Sequence, residues 1–278
     1  MALNLEIVGR KTDPVPFKYD ADRVILYALG IGAGVDELDF VYEKNLKAFP
    51  TFAVIPGLPA FIPLMANARL NMFAVLHGEQ KIVLHGPIPT SGTIYTTGSC
   101  DSIYDKGDKG ALINIAAESK DENGRLLFEN HVVIVDRSAG NFGGDRGPKG
   151  EKLDPPEGKA PEFHVEYVTS PNQAALYRLS GDKNPLHIDP DFAKLGKLPR
   201  PILHGLCTYG FAGRAILHSL CGGDSARFKS FAVRFTGVVY PGDTIITEGW
   251  DVGDGRHIVQ SKTQDGRVVL GNGVAEVA

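Results

Sequence analysis

Residues 204–221 constrain the fold of this chain more than any other stretch. Between His204 and Cys221 only Arg214 is charged at neutral pH. Leu206, Tyr209, Phe211, Ala212, Ala215, Ile216, Leu217 and Leu220 cover the rest of a helical surface, and Gly222-Gly223 stops it. A helix that is apolar nearly all round must be buried nearly all round. The segments that follow have the alternation and β-branched content of strands: 231–235, 244–250, 257–263 and 268–274. Gly253-Asp254-Gly255 and Gln264-Asp265-Gly266 supply turns between them. A long buried helix followed by an antiparallel meander predicts a sheet wrapped around that helix, the hot-dog arrangement.

The first half of the chain has the same ingredients. Runs at 81–84, 93–97, 111–116 and 131–135 read as strands, with Glu122-Asn123-Gly124 as one of the turns. Short amphipathic helices are expected at 22–29, after Asp20 or Asp22, and at 172–179, after Ser170-Pro171. Leu26-Tyr27-Ala28-Leu29-Gly30 aligns with Leu176-Tyr177-Arg178-Leu179-Ser180-Gly181 at an offset of 150, with one extra residue. Pro89-Thr90-Ser91-Gly92-Thr93-Ile94 resembles Pro241-Gly242-Asp243-Thr244-Ile245-Ile246 in the same order. These matches predict an internal duplication. The fold class expected is therefore α+β, a double hot dog. Its parts are an N-terminal repeat at 1–137, a Gly/Pro-rich linker at 138–161 and a C-terminal repeat at 162–278.

Composition agrees. The 278 residues include 33 glycines and 18 prolines, too many for a helical bundle. With 43% hydrophobic residues there is enough for a full core, and a net charge of −4 without a basic block argues against nucleic-acid binding. Cys100, Cys207 and Cys221 form no CxxC pair and are expected to pack as small hydrophobes, with no metal site. No apolar run is read as reaching the ~18 residues of a membrane span. Neither terminus reads as a secretory signal or a Ser-Lys-Leu address, so an intracellular setting is expected.

The segment that carries chemistry is Leu179-Ser180-Gly181-Asp182-Lys183-Asn184-Pro185-Leu186-His187, a loop with a carboxylate, an amide and an imidazole within six residues. Asp182 and Asn184 are also ordinary turn residues. His187, between Leu186 and Ile188-Asp189-Pro190, has no such explanation. Gly205 opens the apolar helix, where unpaired amides and the helix dipole favour an oxyanion.

From Tyr177 to His187, with Ala193 six residues on, this loop resembles the hydratase 2 motif of (R)-specific 2-enoyl-CoA hydratases of the MaoC-like family. The likeness extends to His77-Gly78-Glu79-Gln80, Asp105-Lys106-Gly107, Phe142-Gly143-Gly144, Pro201-Ile202-Leu203-His204-Gly205-Leu206-Cys207-Thr208 and Arg234-Phe235, which recur in that order in the hydratase 2 regions of peroxisomal multifunctional enzymes. The resemblance implies reversible hydration of a trans-2-enoyl-CoA to a (3R)-3-hydroxyacyl-CoA in fatty-acid β-oxidation, by a hydro-lyase that needs no cofactor, CoA being part of the substrate. It implies that Asp182 and His187 hold and deprotonate a water, that Asn184 fixes loop and substrate geometry, and that Gly205 donates to the enolate oxygen. Asp182 is favoured as the base, although the residues leave the division of labour open. His77, Gly78, Lys106 and Phe235 match positions that contact acyl-CoA in the family, and Lys197 and Arg200 are candidates for CoA phosphates. A homodimer is expected, in the peroxisome by resemblance or in the cytoplasm.

The first half has Gly30-Ile31-Gly32-Ala33-Gly34 where the second has its catalytic loop, so it is expected to be non-catalytic. Its counterpart of the apolar helix carries Pro59 and Pro63, which are expected to break it. The resulting space is expected to take the acyl tail, lined by Phe61, Ile62, Leu64 and Met65. Two other functions compete: dehydration of (3R)-hydroxyacyl thioesters on acyl-carrier protein, and a non-catalytic acyl-CoA binding module or thioesterase.

Overall fold

A computed structural model describes residues 3–71 and 74–278. In chain order its elements are β1 (Val15–Tyr19), α1 (Ala21–Gly30), α2 (Leu38–Val41), α3 (Val54–Ala68), β2 (Val75–Leu84), β3 (Gly92–Asp105), β4 (Ala111–Lys120) and β5 (Leu126–Asp136). There follow β6 (Phe163–Val168), α4 (Gln173–Tyr177), α5 (Pro190–Leu195), α6 (Gly205–Cys221), β7 (Phe228–Phe235), β8 (Thr244–Gly253), β9 (Arg256–Thr263) and β10 (Val268–Val277). The ten strands form one sheet in the order β1-β3-β4-β5-β2-β7-β10-β9-β8-β6. Read outward from its middle, each half of the sheet repeats the other with strand numbers shifted by five.

The repeats join along β2 and β7, which pair antiparallel from Glu79 opposite Arg234 to Val83 opposite Ser230. Arg234 closes the end of this seam with an ion pair to Glu79 at 2.6 Å. The expected strands all lie within observed ones, whereas β1 and β6, at the two outer edges, escaped the sequence reading. Both are short and alternate exposed with covered residues, so no apolar run marks them.

Helix α6 is buried as its composition requires, with only Gly205 and Ser219 exposed. It packs on β7, β8 and β10 and reaches the first half through two glycines. A Cβ at Gly210 would stand 2.3 Å from Ile31 Cγ2, and one at Gly213 would stand 2.3 Å from Thr51 Cγ2. Its charged residue, Arg214, pairs with Glu37 of the first half at 2.5 Å and lies 4.0 Å over the Tyr167 ring. The two repeats thus share the larger core cluster, while a smaller one around Phe61, Leu64, Ile113 and Val132 belongs to the first repeat.

Helix α3 corrects the sequence reading. Pro59 and Pro63 sit inside an unbroken 15-residue helix. Each proline leaves the carbonyl four residues earlier without a backbone partner. The two are four residues apart, on one side of the helix, with Pro59 half-buried and Pro63 exposed. The opposite face buries Phe61, Leu64 and Ala68, and the helix packs chiefly on β3. There Gly98 lets the helix approach, since a Cβ would meet Leu64 Cδ1 at 3.0 Å. That packing outweighs the local penalty, and no interrupted helix opens a space for a tail.

The same segment corrects a second expectation. With the 3-10 turn before it, Pro50–Ala68 is a continuous helix of 19 residues, long and apolar enough to cross a membrane by length and composition alone. More than half of it is buried within the protein.

The linker lies across the sheet. The Asp105 carboxylate accepts from the amides of Gly107, Asn141 and Gly143 at 2.8–2.9 Å, and these donors hold its pKa down at about 2. Farther on, Leu153 N donates to Asn272 Oδ1 at 2.8 Å, and Trp250 Nε1 donates to the Lys159 carbonyl at 2.9 Å.

Gly213→Ala tests how closely α6 approaches the first half. Alanine normally stabilises a helix interior by up to ~1 kcal/mol over glycine. Here overpacking against Thr51 is expected to reverse the sign and cost about 1–3 kcal/mol. A urea titration should show a lower midpoint at unchanged slope; a raised midpoint would show that the helix stands farther off.

Candidate active site

The loop after α4 leaves its helix at Gly181, whose φ of +142° suits glycine. Asp182 follows, half-buried, and its Oδ1 accepts from the Asn184 amide at 3.0 Å. Asn184 points its own Oδ1 at Leu186 N, 3.0 Å away, capping the 3-10 turn Pro185–His187. These two turn interactions carry His187 inward, where it is 8% exposed.

His187 Nδ1 lies 3.0 Å from the Ile202 carbonyl. A carbonyl only accepts, so Nδ1 bears the proton. Burial lowers the pKa of His187, against the opposing pull of the Ile202 carbonyl and the Asp182 charge. The imidazole is therefore neutral at pH 7, and its Nε2 presents a lone pair.

His204 is the residue that sequence reasoning passed over. It is 1% exposed and stacks on His187 with ring centroids 3.8 Å apart. Its Nε2 donates to the Asp182 backbone carbonyl at 3.1 Å. Burial, with repulsion from His187, brings its pKa down to about 4. One polar atom each of Asp182, His187 and His204 lies within 4.8 Å of the other two. The available signal was a histidine placed immediately before a helix with almost no charge, where a polar ring needs a polar partner.

The first half supplies the opposite wall. β2 is bulged between His77 and Glu79, and Gly78 occupies the bulge. A Cβ there would press on Val135 Cγ2 at 2.8 Å and on the Val133 carbonyl at 3.2 Å. His77 packs against Phe235 with centroids 4.8 Å apart, and its Nε2 donates to the Glu79 carbonyl at 3.1 Å. Desolvation pushes its pKa down to about 4, although the Asp182 charge works the other way. Phe235 in turn covers Gly205, where a Cβ would approach the ring to 3.2 Å. Gly205 is the first residue of α6, and no side chain caps that end of the helix. Its exposed backbone offers amides with no intrahelical acceptor.

The structure thus gathers Asp182, His187, His77, Phe235 and Gly205 around the end of the β2–β7 seam, with Gly78 shaping the strand behind them. Asn184 is exposed and works on the loop itself. Lys106 stands apart: β3 is three strand spacings from β2, roughly 14 Å. Its ammonium donates to the Arg146 carbonyl and lies 5.5 Å from the Tyr104 ring centre. Arg200 is engaged by the Pro241 carbonyl at 3.1 Å and the Tyr240 ring at 4.6 Å. Lys197 follows α5 in a left-handed conformation, with φ of 59°.

This arrangement can bind one water between a carboxylate and an imidazole lone pair. A carboxylate oxygen of Asp182 and a ring nitrogen of His187 lie no more than 4.8 Å apart, a spacing on the scale of one bridging water. Beside it, the start of a 17-residue helix can receive developing negative charge.

Comparisons with known proteins agree with this architecture. Residues 152–274 match the MaoC like domain, and residues 17–138 match the MFE-2 hydratase 2 N-terminal domain. A probable enoyl-CoA hydratase 2 of Dictyostelium discoideum is 39% identical over 97% of this chain and 95% of its own length. The peroxisomal multifunctional enzyme type 2 of Drosophila melanogaster is 43% identical over 85% of this chain, which spans 42% of that longer protein. A crystal structure of a MaoC-like dehydratase from Phytophthora capsici superposes with a TM-score of 0.89 at 34% identity, covering 99% of this chain and 98% of that one. By sequence and by fold the chain belongs to the MaoC-like family, in the form whose first half is an MFE-2 hydratase 2 N-terminal domain.

Proposed function

We propose that this protein is an enoyl-CoA hydratase 2, adding water across the double bond of a trans-2-enoyl-CoA to give a (3R)-3-hydroxyacyl-CoA. The observation that carries the reading is the Asp182 carboxylate beside a neutral His187 whose only protonated nitrogen is committed to Ile202. A thioester conjugated to a double bond has an electrophilic C3, and what it lacks is a nucleophile and a place for the enolate charge. The Asp182 carboxylate and His187 Nε2 accept the two hydrogens of one water, which turns an oxygen lone pair toward C3.

As the C3–O bond forms, one water proton passes to Asp182, the stronger acceptor of the pair by charge. The electrons of the double bond move onto the thioester oxygen, where the Gly205 amide and the α6 dipole stabilise them. The enolate then collapses and C2 takes up the proton held by the Asp182–His187 pair. The net change is H at C2 and OH at C3, and the enzyme regains its starting state. No cofactor is required by this scheme, because the thioester itself supplies the electron sink.

Phe235 and His77 form the wall against which the enoyl group lies, and Gly78 and Lys106 belong to the surface that takes the rest of acyl-CoA. Dehydration of a 3-hydroxyacyl thioester is the same reaction reversed and uses the same groups, which fits the dehydratase name of the solved relative. The relative named as peroxisomal supports a place in the peroxisome, the cytoplasm being the alternative, and hydration of an enoyl thioester suits fatty-acid β-oxidation.

Asp182→Asn and His187→Gln are each expected to lower kcat by at least ~10²-fold with near-UV circular dichroism unchanged. Near wild-type turnover in either folded variant would remove that residue from the scheme. A second expectation concerns pH. His187 must be neutral, and its pKa is depressed, so kcat/KM should hold its plateau below pH 6.5 and fall only as pH drops through the lowered value. An acid limb at or above 6.5 would contradict a neutral, buried His187. Hydration of trans-2-decenoyl-CoA, followed by chiral separation, should give the 3R product. The matched acyl-carrier-protein thioester should turn over with a kcat/KM at least ~10-fold lower, and the reverse preference would favour the carrier-protein dehydratase.

A further inference from the structure

The loop that holds Asp182 starts where the second half meets the first. Arg23, in the first turn of α1, crosses to that loop. Its Nη1 donates to the Leu179 carbonyl at 2.9 Å and its Nη2 donates to the Ser180 carbonyl at 3.0 Å. These are the last two carbonyls before Gly181, at the C-terminal end of a helical segment where the backbone dipole favours a cation.

The duplication supplies the mirror image. Gln173, in the first turn of α4, donates its Nε2 to the carbonyls of Leu29 at 3.2 Å and Gly30 at 2.6 Å. Residues 23 and 173, 29 and 179, and 30 and 180 are all related by the offset of 150. Each repeat therefore caps the end of the other repeat's helix, across a pseudo-axis where Tyr27 and Tyr177 stand 6.0 Å apart.

The two caps act on different loops. After Gly30 the chain turns inward: Ile31 is fully buried, Ala33 is 6% exposed, and Ala33 N returns to the Ala28 carbonyl at 3.0 Å. Core packing fixes that loop whatever Gln173 does. After Ser180 come Gly181, Asp182, Lys183, Asn184 and Pro185, none of them buried. Polar contacts hold residues 181–185: Arg23 at the start, His204 on the Asp182 carbonyl, and the Asp182–Asn184 turn.

We propose that Arg23, a residue of the non-catalytic repeat, is a positioning residue for the reaction, fixing through the Leu179 and Ser180 carbonyls where the Asp182 carboxylate stands. The proposal rests on the reading of Asp182 and His187 as the water-activating pair. It gives the first half a part in the chemistry itself and explains why a charged, two-pronged donor stands where its symmetry mate is a neutral amide.

The test compares the two caps on the full chain. Arg23→Met keeps the aliphatic stem and removes the donors, and Gln173→Met does the same to the mirror cap. For R23M, kcat per folded enzyme should fall about 10- to 100-fold with KM within ~2-fold, because a misplaced catalytic group costs rate rather than binding. Q173M should keep kcat within ~2-fold even if its melting temperature falls as far. Arg23→Gln, which restores an amide with the reach that Gln173 already shows, should recover kcat to within ~5-fold of wild type. A wild-type kcat in R23M, or equal losses of kcat in R23M and Q173M, would reduce Arg23 to a structural contact and overturn the proposal. If R23M does not fold, Arg23→Lys, with a single donor group, carries the test: kcat should drop ~3- to 10-fold, and an unchanged kcat overturns it. Asp182→Asn in the same assay separates the two levels. If D182N stays active, the site itself is misread; if D182N is inactive while R23M is not, only the clamp fails.

Discussion

Helix α6 has almost no side that water can cover, and the rest of the molecule is arranged around that constraint. One sheet half cannot enclose a 17-residue apolar cylinder. β7, β8 and β10 cover one side, and the first repeat covers the other through Ile31 and Thr51, which fill the space left by Gly210 and Gly213. The same burial forces Arg214 to find Glu37, whose carboxyl is held down at about 2 by Arg214 and His218 despite its own desolvation. An ion pair so placed adds little net stability but is costly to break, so it fixes the register of the two halves.

The buried helix also creates the site. Its far end is closed by Gly222 in the left-handed conformation, and its near end opens at Gly205 under Phe235. That open end stands beside the place where β2 and β7 join, which brings His77 and Phe235, from different repeats, into contact. His204 is the hinge of this arrangement. It precedes the helix by one residue, donates to Asp182 and stacks on His187, so one side chain ties the candidate oxyanion donor to the candidate base. Three imidazoles, at positions 77, 187 and 204, have lowered pKa values for the common reason of burial. Around Asp182 they are neutral, and the site can take a proton from water rather than repel one.

Duplication frees one copy of the loop for chemistry. In the first repeat the segment after α1 is apolar and buried, which suits a scaffold. In the second it is polar and kept in place by hydrogen bonds, so the Asp182 carboxylate stands half-buried on a backbone held by His204 and Arg23. The reciprocal contacts of Arg23 and Gln173 tie each copy to the other, and that of Arg23 falls at the start of the loop that carries Asp182.

Much of this was legible in the residues themselves. The lack of charge in 204–221, the spacing of turns and the 150-residue offset determined a duplicated sheet around a buried helix, because burial and strand alternation are local consequences of side-chain type. The Asp182–His187 loop was readable for the same reason: its turn residues and its chemistry lie within six positions. What the sequence left open depended on contacts between distant segments. Pro59 and Pro63 read as helix breakers, yet the packing of Phe61 and Leu64 against β3 keeps α3 whole. β1 and β6 are short edge strands that the sequence reading missed and that the fold reveals by their pairing with β3 and β8. His204 and Arg23 had no part in the reading of the loop until the fold placed each within hydrogen-bonding distance of it, 22 and more than 150 residues away in sequence. Local propensity is written along the chain, whereas a hydrogen bond across a pseudo-two-fold axis exists only once both halves have folded against each other.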